Sequence, residues 1–200
     1  MDTQQWTIVT VTKDLSRRWI GYFEVQPRFG ENIGNVSQLL VRPAMGYRVN
    51  ERLTLWSGYA WTPLIEPDFK DEHRLWQQAL YEERRGKTRL SYRMRLEERF
   101  IEDIDETSFR LRNMVRLMYP ISADQRWAAV AYDEVWINLN STSDGPLSGF
   151  DQNWAFVGVN RQVNKRLGIE TGYQMIHQNT PHTADNRRLD VWVVQVAFRL

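Results

Sequence analysis

Along residues 89–100, RLSYRMRLEERF, Leu90, Tyr92, Met94 and Leu96 alternate with Arg89, Ser91, Arg93, Arg95, Glu97 and Arg99. A period of two is that of a β-strand with one apolar and one charged face. The pattern recurs. Phe109, Leu111, Val115, Leu117 and Tyr119 oppose Arg110, Arg112 and Arg116, and Leu39, Val41, Met45 and Tyr47 oppose Gln38, Arg42, Gly46 and Arg48. Leu167, Ile169, Thr171, Tyr173 and Met175 oppose Gly168, Glu170, Gly172 and Gln174. With the turn signals between them, these runs predict strands near 5–12, 18–29, 36–48, 53–62, 73–84, 87–100, 108–119, 126–138, 153–163, 166–177 and 187–199. No helical period competes. The segments 73–84 and 126–138 are ambiguous, because Asp133 and Glu134 stand side by side on opposite faces. Pro27 and Pro43 fall inside predicted strands, where a missing N–H favours edges and bulges.

The links sort by length. KDLSR (13–17), NERL (50–53), RG (85–86), PISADQ (120–125) and NK (164–165) are short. GENIGN (30–35), PLIEPDFKDEH (63–73), IEDIDETS (101–108), NSTSDGPLSGFDQ (140–152) and QNTPHTADN (178–186) are long, and the two kinds alternate. In an up-and-down meander alternate links lie at the same end, so one end has tight turns and the other long polar loops. Outer-membrane barrels have that asymmetry. The fold expected is therefore all-β, an antiparallel up-and-down transmembrane β-barrel in a single domain over 1–200. Single-chain barrels of this kind are even-numbered, which gives about twelve strands, with ten as the other even count. An eleven-stranded wall closed by a parallel pair is the third solution.

Which face points inward separates two classes of protein. In a transmembrane barrel the apolar face meets lipid, and Arg28, Arg42, Arg48, Arg89, Arg93, Arg95, Glu97, Arg99, Arg110, Arg112, Arg116 and Glu170 line the lumen. In a soluble, lipocalin-like barrel the apolar face is inside and holds an apolar ligand. A barrel of ten or more strands is wider than side chains easily fill, which favours the first arrangement. Phe29, Tyr47, Trp61, Phe100, Phe109, Tyr119, Trp127, Trp154 and Phe198 lie near strand ends and fit two interfacial girdles about 25 Å apart. The 200 residues include nine Trp, eight Tyr and eight Phe, a content that suits a membrane–water boundary.

Composition narrows the function classes. The net charge is +1, so no basic footprint for nucleic acid exists. There is no cysteine and hence no disulfide or thiolate chemistry. No run reaches the roughly 18 apolar residues of a transmembrane helix. The start MDTQQW has neither a basic nor an apolar leader region, which suits a mature chain given a start codon, the alternative being a cytoplasmic protein. The expected partners are outer-membrane lipid, or detergent in its place, and small anionic solutes attracted by the arginines. An open anion-selective lumen and a lumen closed by paired Arg and carboxylate fit these residues equally.

Candidate chemistry is sparse. A lipid hydrolase of the outer membrane would need a Ser–His pair oriented by a third group. The histidines are His73, His177 and His182, and MIHQNTPH carries no serine beside them. Ser141, Ser143 and Ser148 lie in a different loop. Glu102, Asp103, Asp105 and Glu106 share one loop but lack the glycine and ordered spacing of an EF-hand. No catalytic residue, metal or cofactor is expected.

The succession QWTIVTVTKDLSRRW, SYRMRLEERF, FRLRNMVRLMYP and YDEVWINLN resembles a bacterial family catalogued as domain of unknown function 2490, whose members look like outer-membrane β-barrels. The likeness spans nearly the whole chain, and RLEERF followed by FRLRN is its most characteristic piece. It implies fold and a location in the bacterial outer membrane, and brings no catalytic residue. The end of the chain, VWVVQVAFRL, is similar to the C-terminal signal of such barrels, with Leu200 where Phe is usual and Phe198 the nearest aromatic.

Overall fold

In a computed structural model, which describes residues 2–30, 32–143, 145–180 and 186–200, the chain forms a closed all-β barrel. Its strands in chain order are β1 (Asp2–Asp14), β2 (Trp19–Gly30), β3 (Asn35–Arg48), β4 (Leu53–Trp61), β5 (Glu72–Arg85) and β6 (Thr88–Ile101). They continue with β7 (Ser108–Pro120), β8 (Trp127–Asn138), β9 (Gly149–Gln162), β10 (Leu167–Gln178) and β11 (Arg187–Arg199). Each pairs antiparallel with its sequence neighbour.

Among the described residues the wall has eleven strands, not twelve. β1 and β11 both run from the long-loop end to the short-turn end, and they close the barrel in parallel from Asp2↔Leu189 to Thr12↔Arg199. An odd number of up-and-down strands leaves its two end strands pointing the same way. A parallel seam, with slanted hydrogen bonds slightly weaker per residue, is therefore the only regular closure.

The short turns are built by local side-chain bonds. Asn50 Oδ1 accepts from the N–H groups of Arg52 and Leu53 at 2.9 Å each. Asn164 Oδ1 does the same for Arg166 and Leu167 at 2.8 and 3.0 Å. Such Asx turns replace backbone pairing where the chain reverses. Gly86 takes φ +60° in the two-residue turn between β5 and β6, a conformation that favours glycine. At the other end, residues 62–71 fold back beside β3, where Leu39 N–H reaches Pro63 O at 3.2 Å and Ile65 N–H reaches Ser37 O at 2.8 Å. Pro27 and Pro43 keep their places in β2 and β3, and the register shifts between Arg28 and Phe29, beside Pro27.

The apolar face is outside. Val157, Trp192, Val115 and Phe23 are 60, 50, 47 and 46 % exposed, while Arg95 and Glu97 on the same wall are 4 and 1 % exposed. Burying charges and exposing aliphatic side chains is the arrangement of a membrane barrel and the reverse of a soluble one.

Candidate functional site

The lumen is the part of the fold with chemistry in it. Arg28, Arg42, Arg93, Arg95, Glu97, Arg110, Arg112, Arg116 and Glu170 all point into it from β2, β3, β6, β7 and β10. Arg99 also points in, toward the long-loop end, where its Nε donates to Glu72 at 2.6 Å. Arg89 sits at the short-turn rim. Arg48 lies at that rim as well, bonded to Asp14.

Most of these side chains are ion-paired, the largest cluster centring on Glu97 and Glu134. Glu97 accepts from Arg110 through Nε and Nη2 at 3.1 and 2.7 Å, and from Arg112 Nη1 at 2.9 Å. Arg112 turns its other two nitrogens to Glu134, both at 2.9 Å. Arg93 Nη2 reaches Glu134 at 2.6 Å. Arg74 holds Glu72 by a fork at 2.7 and 2.8 Å. Arg110 Nη1 extends the chain to Asp151 at 3.2 Å. Nearer the short-turn end, Arg116 pairs with Glu170, and Arg42 with Glu24 at 3.3 Å. Buried forks of this kind satisfy both partners and set their orientation.

Glu72, Arg74, Glu134 and Asp151 were not singled out by sequence. The signal for Glu134 was present: it stands next to Asp133, and only one of two adjacent residues on a strand can point inward. Glu134 does, and Asp133 stays on the outer wall, where it accepts from Asn153 Nδ2 at 3.0 Å.

The tryptophans divide differently from the girdle expectation. Trp6, Trp56, Trp76, Trp136 and Trp154, five of the nine, point into the lumen. Trp154, expected in a girdle, is 7 % exposed and packs against Trp136 and Trp6 at ring distances of 4.2 and 5.1 Å. The reason lies in NWAFVGVN, which is apolar at both parities, so its phase is set by the partner strand. Trp154 pairs with Glu134, which faces in. Phe29, Tyr47, Trp61, Phe100, Phe109, Tyr119, Trp127 and Phe198 take the outward parity of their strands.

Arginines stack on the inner rings. Arg112 lies 3.6 Å from the centroid of Trp136, Arg28 3.8 Å from Trp6, and Arg95 4.4 Å from Trp76. Cation–π contact in a dry site offsets part of the cost of burying a guanidinium. Glycines make room for the rings: a Cβ at Gly58 would stand 2.6 Å from Trp76 Cζ2.

The lumen holds two cavities. A cavity of about 520 Å³ occupies the short-turn half. A second, of about 390 Å³, lies under the long loops and is lined by Arg99, Arg110, Phe150 and Asp151. Among the described residues, none lines both. Glu72, Glu97, Trp136, Ile176 and Val191 line neither, and they fill the level between. Glu97, Trp136, Ile176 and Val191 are at most 3 % exposed.

A family described as a protein of unknown function, DUF2490, matches residues 3–187. The chain belongs to the DUF2490 family. An uncharacterized protein of Methylorubrum extorquens strain AM1 is 32 % identical over 197 residues, covering 94 % of this chain and 83 % of the relative. Among solved structures, the DUF2490 barrel is similar to a bacterial polysaccharide outer membrane secretin, with a TM-score of 0.59 and 10 % identity. That match covers 88 % of this chain and 62 % of the secretin. It is also similar to LpxR from Salmonella typhimurium, with a TM-score of 0.51, 7 % identity, and 90 and 83 % of the two chains covered. At these identities the likeness is one of fold, a membrane β-barrel.

The remaining sequence candidates are dispersed in the DUF2490 fold. His73 points outward and shares a 2.5 Å hydrogen bond with Tyr59 Oη. His177 lies on the outer face beside Phe150. His182 lies outside the described residues. Ser141 bonds to Ser148 at 3.3 Å, and Ser143 bonds to Glu106. In the acidic loop, Glu102 accepts from Asp71 N–H at 2.7 Å, and Asp103 faces Lys70 at 3.5 Å. These carboxylates brace loops. Among the described residues no group of three or more His, Cys, Asp or Glu is placed to hold a metal. The Ser143 hydroxyl bonded to Glu106 holds that carboxyl below its ordinary pKa.

Proposed function

We propose that this chain is a non-catalytic outer-membrane barrel with a closed lumen, its short turns toward the periplasm, rather than a solute channel. One observation carries the reading: the level of Glu97, Trp136, Ile176 and Val191 separates two cavities with no lining residue in common among the described residues. Hydrated ions do not cross a layer in which carboxylates are already saturated by forked guanidiniums, because passage would require breaking those pairs without water to replace them. The short-turn cavity is then a chamber with one mouth. The apolar outer wall, the length-sorted links and the fold likenesses support the location.

The test is conductance. Purified barrel reconstituted in a planar bilayer is expected to give no steady ohmic current. A stable, voltage-independent current proportional to the number of inserted barrels would overturn the closed lumen. Fractionation of cells with sarkosyl extraction checks the location: recovery in the inner-membrane or soluble fraction would count against it.

A further inference from the structure

The short-turn cavity has two unlike walls. β2, β3 and β5–β7 supply the guanidiniums, while β1, β8, β9 and β11 supply Ile8, Tyr132, Phe156 and Val193, and β8 and β10 add the carboxylates Glu134 and Glu170. Eight arginines and four glutamates line it. Two of the deep arginines are bonded to neutral amides instead of carboxylates. Arg28 Nη1 donates to Gln38 Oε1 at 2.7 Å, and Arg95 donates through Nε and Nη2 to Gln78 Oε1 at 2.9 and 2.7 Å. The carboxylate paired with Arg95, Glu97, is 3.7 Å away and already accepts bonds from Arg110 and Arg112. Arg42 and Arg95 flank the same Trp76 ring, at 5.8 and 4.4 Å from its centroid, and Arg28 lines the same cavity.

The unused hydrogen-bonding capacity has one sign. Among the described residues lining this cavity, the buried side-chain polar atoms without a hydrogen-bond partner are Nε of Arg28, Arg42 and Arg93, Nη1 of Arg95, Nε2 of Gln174 and the indole nitrogens of Trp56 and Trp76. All seven are donors. A surplus of buried positive charge with only donors to spare is complemented by an anion rich in acceptors.

We propose that the chamber binds a small organic anion. Its phosphate or carboxylate head would sit among Arg28, Arg42 and Arg95, and its apolar, ring-sized body against Phe156 and Val193. About 520 Å³ suits such a molecule. The wall is hydrogen-bonded all round and the long-loop side is blocked, so the ligand comes from solution through the short-turn mouth, not sideways from the lipid. This inference rests on the closed-lumen reading only for that route.

The test is titration of refolded barrel in detergent micelles with phenyl phosphate, benzoate, inorganic phosphate and benzylamine, followed by calorimetry and by Trp fluorescence. Saturable 1:1 binding of phenyl phosphate or benzoate is expected. The tighter of the two names the head group. Inorganic phosphate is expected to bind at least tenfold more weakly, and benzylamine not at all. Gln78→Glu and Gln38→Glu supply the two arginines with carboxylates of the same shape and are expected to weaken binding at least tenfold. Arg95→Gln is expected to do the same while keeping the heat-sensitive gel mobility of a folded barrel. The proposal is overturned by the absence of saturable binding, by benzylamine binding as tightly as the anions, or by both glutamine variants leaving affinity unchanged. Inorganic phosphate matching phenyl phosphate would remove the apolar body from the proposal. Failure of the closed lumen shows separately, as current in the bilayer.

Discussion

The most exacting test of the ion-paired septum is Glu97→Gln. The side chain keeps its shape and loses its charge. Glu97 is 1 % exposed and accepts three hydrogen bonds from Arg110 and Arg112. The amide can present one oxygen to these donors, but its NH₂ then faces a guanidinium. Removing one member of a buried ion pair costs about 3–5 kcal/mol, because the partner's charge is left uncompensated. Here the cost falls at the lower end. Arg112 keeps its fork on Glu134, and Arg110 keeps Asp151 at 3.2 Å. The expected loss is about 3 kcal/mol, or roughly 150-fold in the unfolding equilibrium. Urea unfolding in lipid vesicles, read by Trp fluorescence and by the heat-sensitive gel mobility, measures it. The double variant Glu97→Gln/Arg95→Gln removes the guanidinium left without a carboxylate, Arg95, which stands 3.7 Å from Glu97, and is expected to recover at least about 1 kcal/mol. A single-variant loss below about 1 kcal/mol, within the range of an exposed pair, would refute the claim that the septum rests on this carboxylate.

Other expected outcomes follow from single contacts. Gly172→Ala would place a Cβ 2.3 Å from Val157 O and 2.6 Å from Gly158 Cα, backbone atoms that cannot move aside, so the variant is expected to lose the heat-sensitive mobility of the folded barrel. Asp133→Val removes a carboxylate from the outer wall and is expected to raise stability in bilayers by about 1 kcal/mol, and a lowered urea midpoint would contradict a lipid-facing position. Glu106 has its pKa lowered by Ser143, so the tether it makes between two long loops is present above the ordinary carboxylate range and is lost as pH falls through the folded value. Hydrogen exchange in residues 139–143 and 145–148 is expected to speed up on that acidification in the native chain, and to be fast and pH-independent, after correction for intrinsic rates, in Glu106→Gln.

The sequence was a good guide to the outside of this barrel and a poorer one to its inside. RLSYRMRLEERF is β6, with Tyr92 and Met94 outward and Arg95 and Glu97 inward, because a strand's alternation is local and one face is uniformly apolar. β9 is the counter-example: Trp154 and Phe156 face in while Val157 and Val159 face out, and a segment apolar on both sides carries no phase of its own. The tryptophan content pointed to interfaces, yet four of the nine rings, Trp6, Trp76, Trp136 and Trp154, serve as platforms for guanidiniums in the lumen.

Strand extents, turn sites, the sorting of short and long links and the outward apolar band follow from the sequence alone, since each depends on residues a few positions apart. The odd-numbered closure, the pairing of arginines with particular glutamates and the septum belong to the tertiary structure. Arg93 and Glu134 are 41 residues apart, and Arg116 and Glu170 are 54. Such pairs meet only when the register of every intervening strand is fixed and the sheet has curled shut. The parallel β1–β11 seam closes that sheet, and closure brings charges on distant strands to face each other across the lumen.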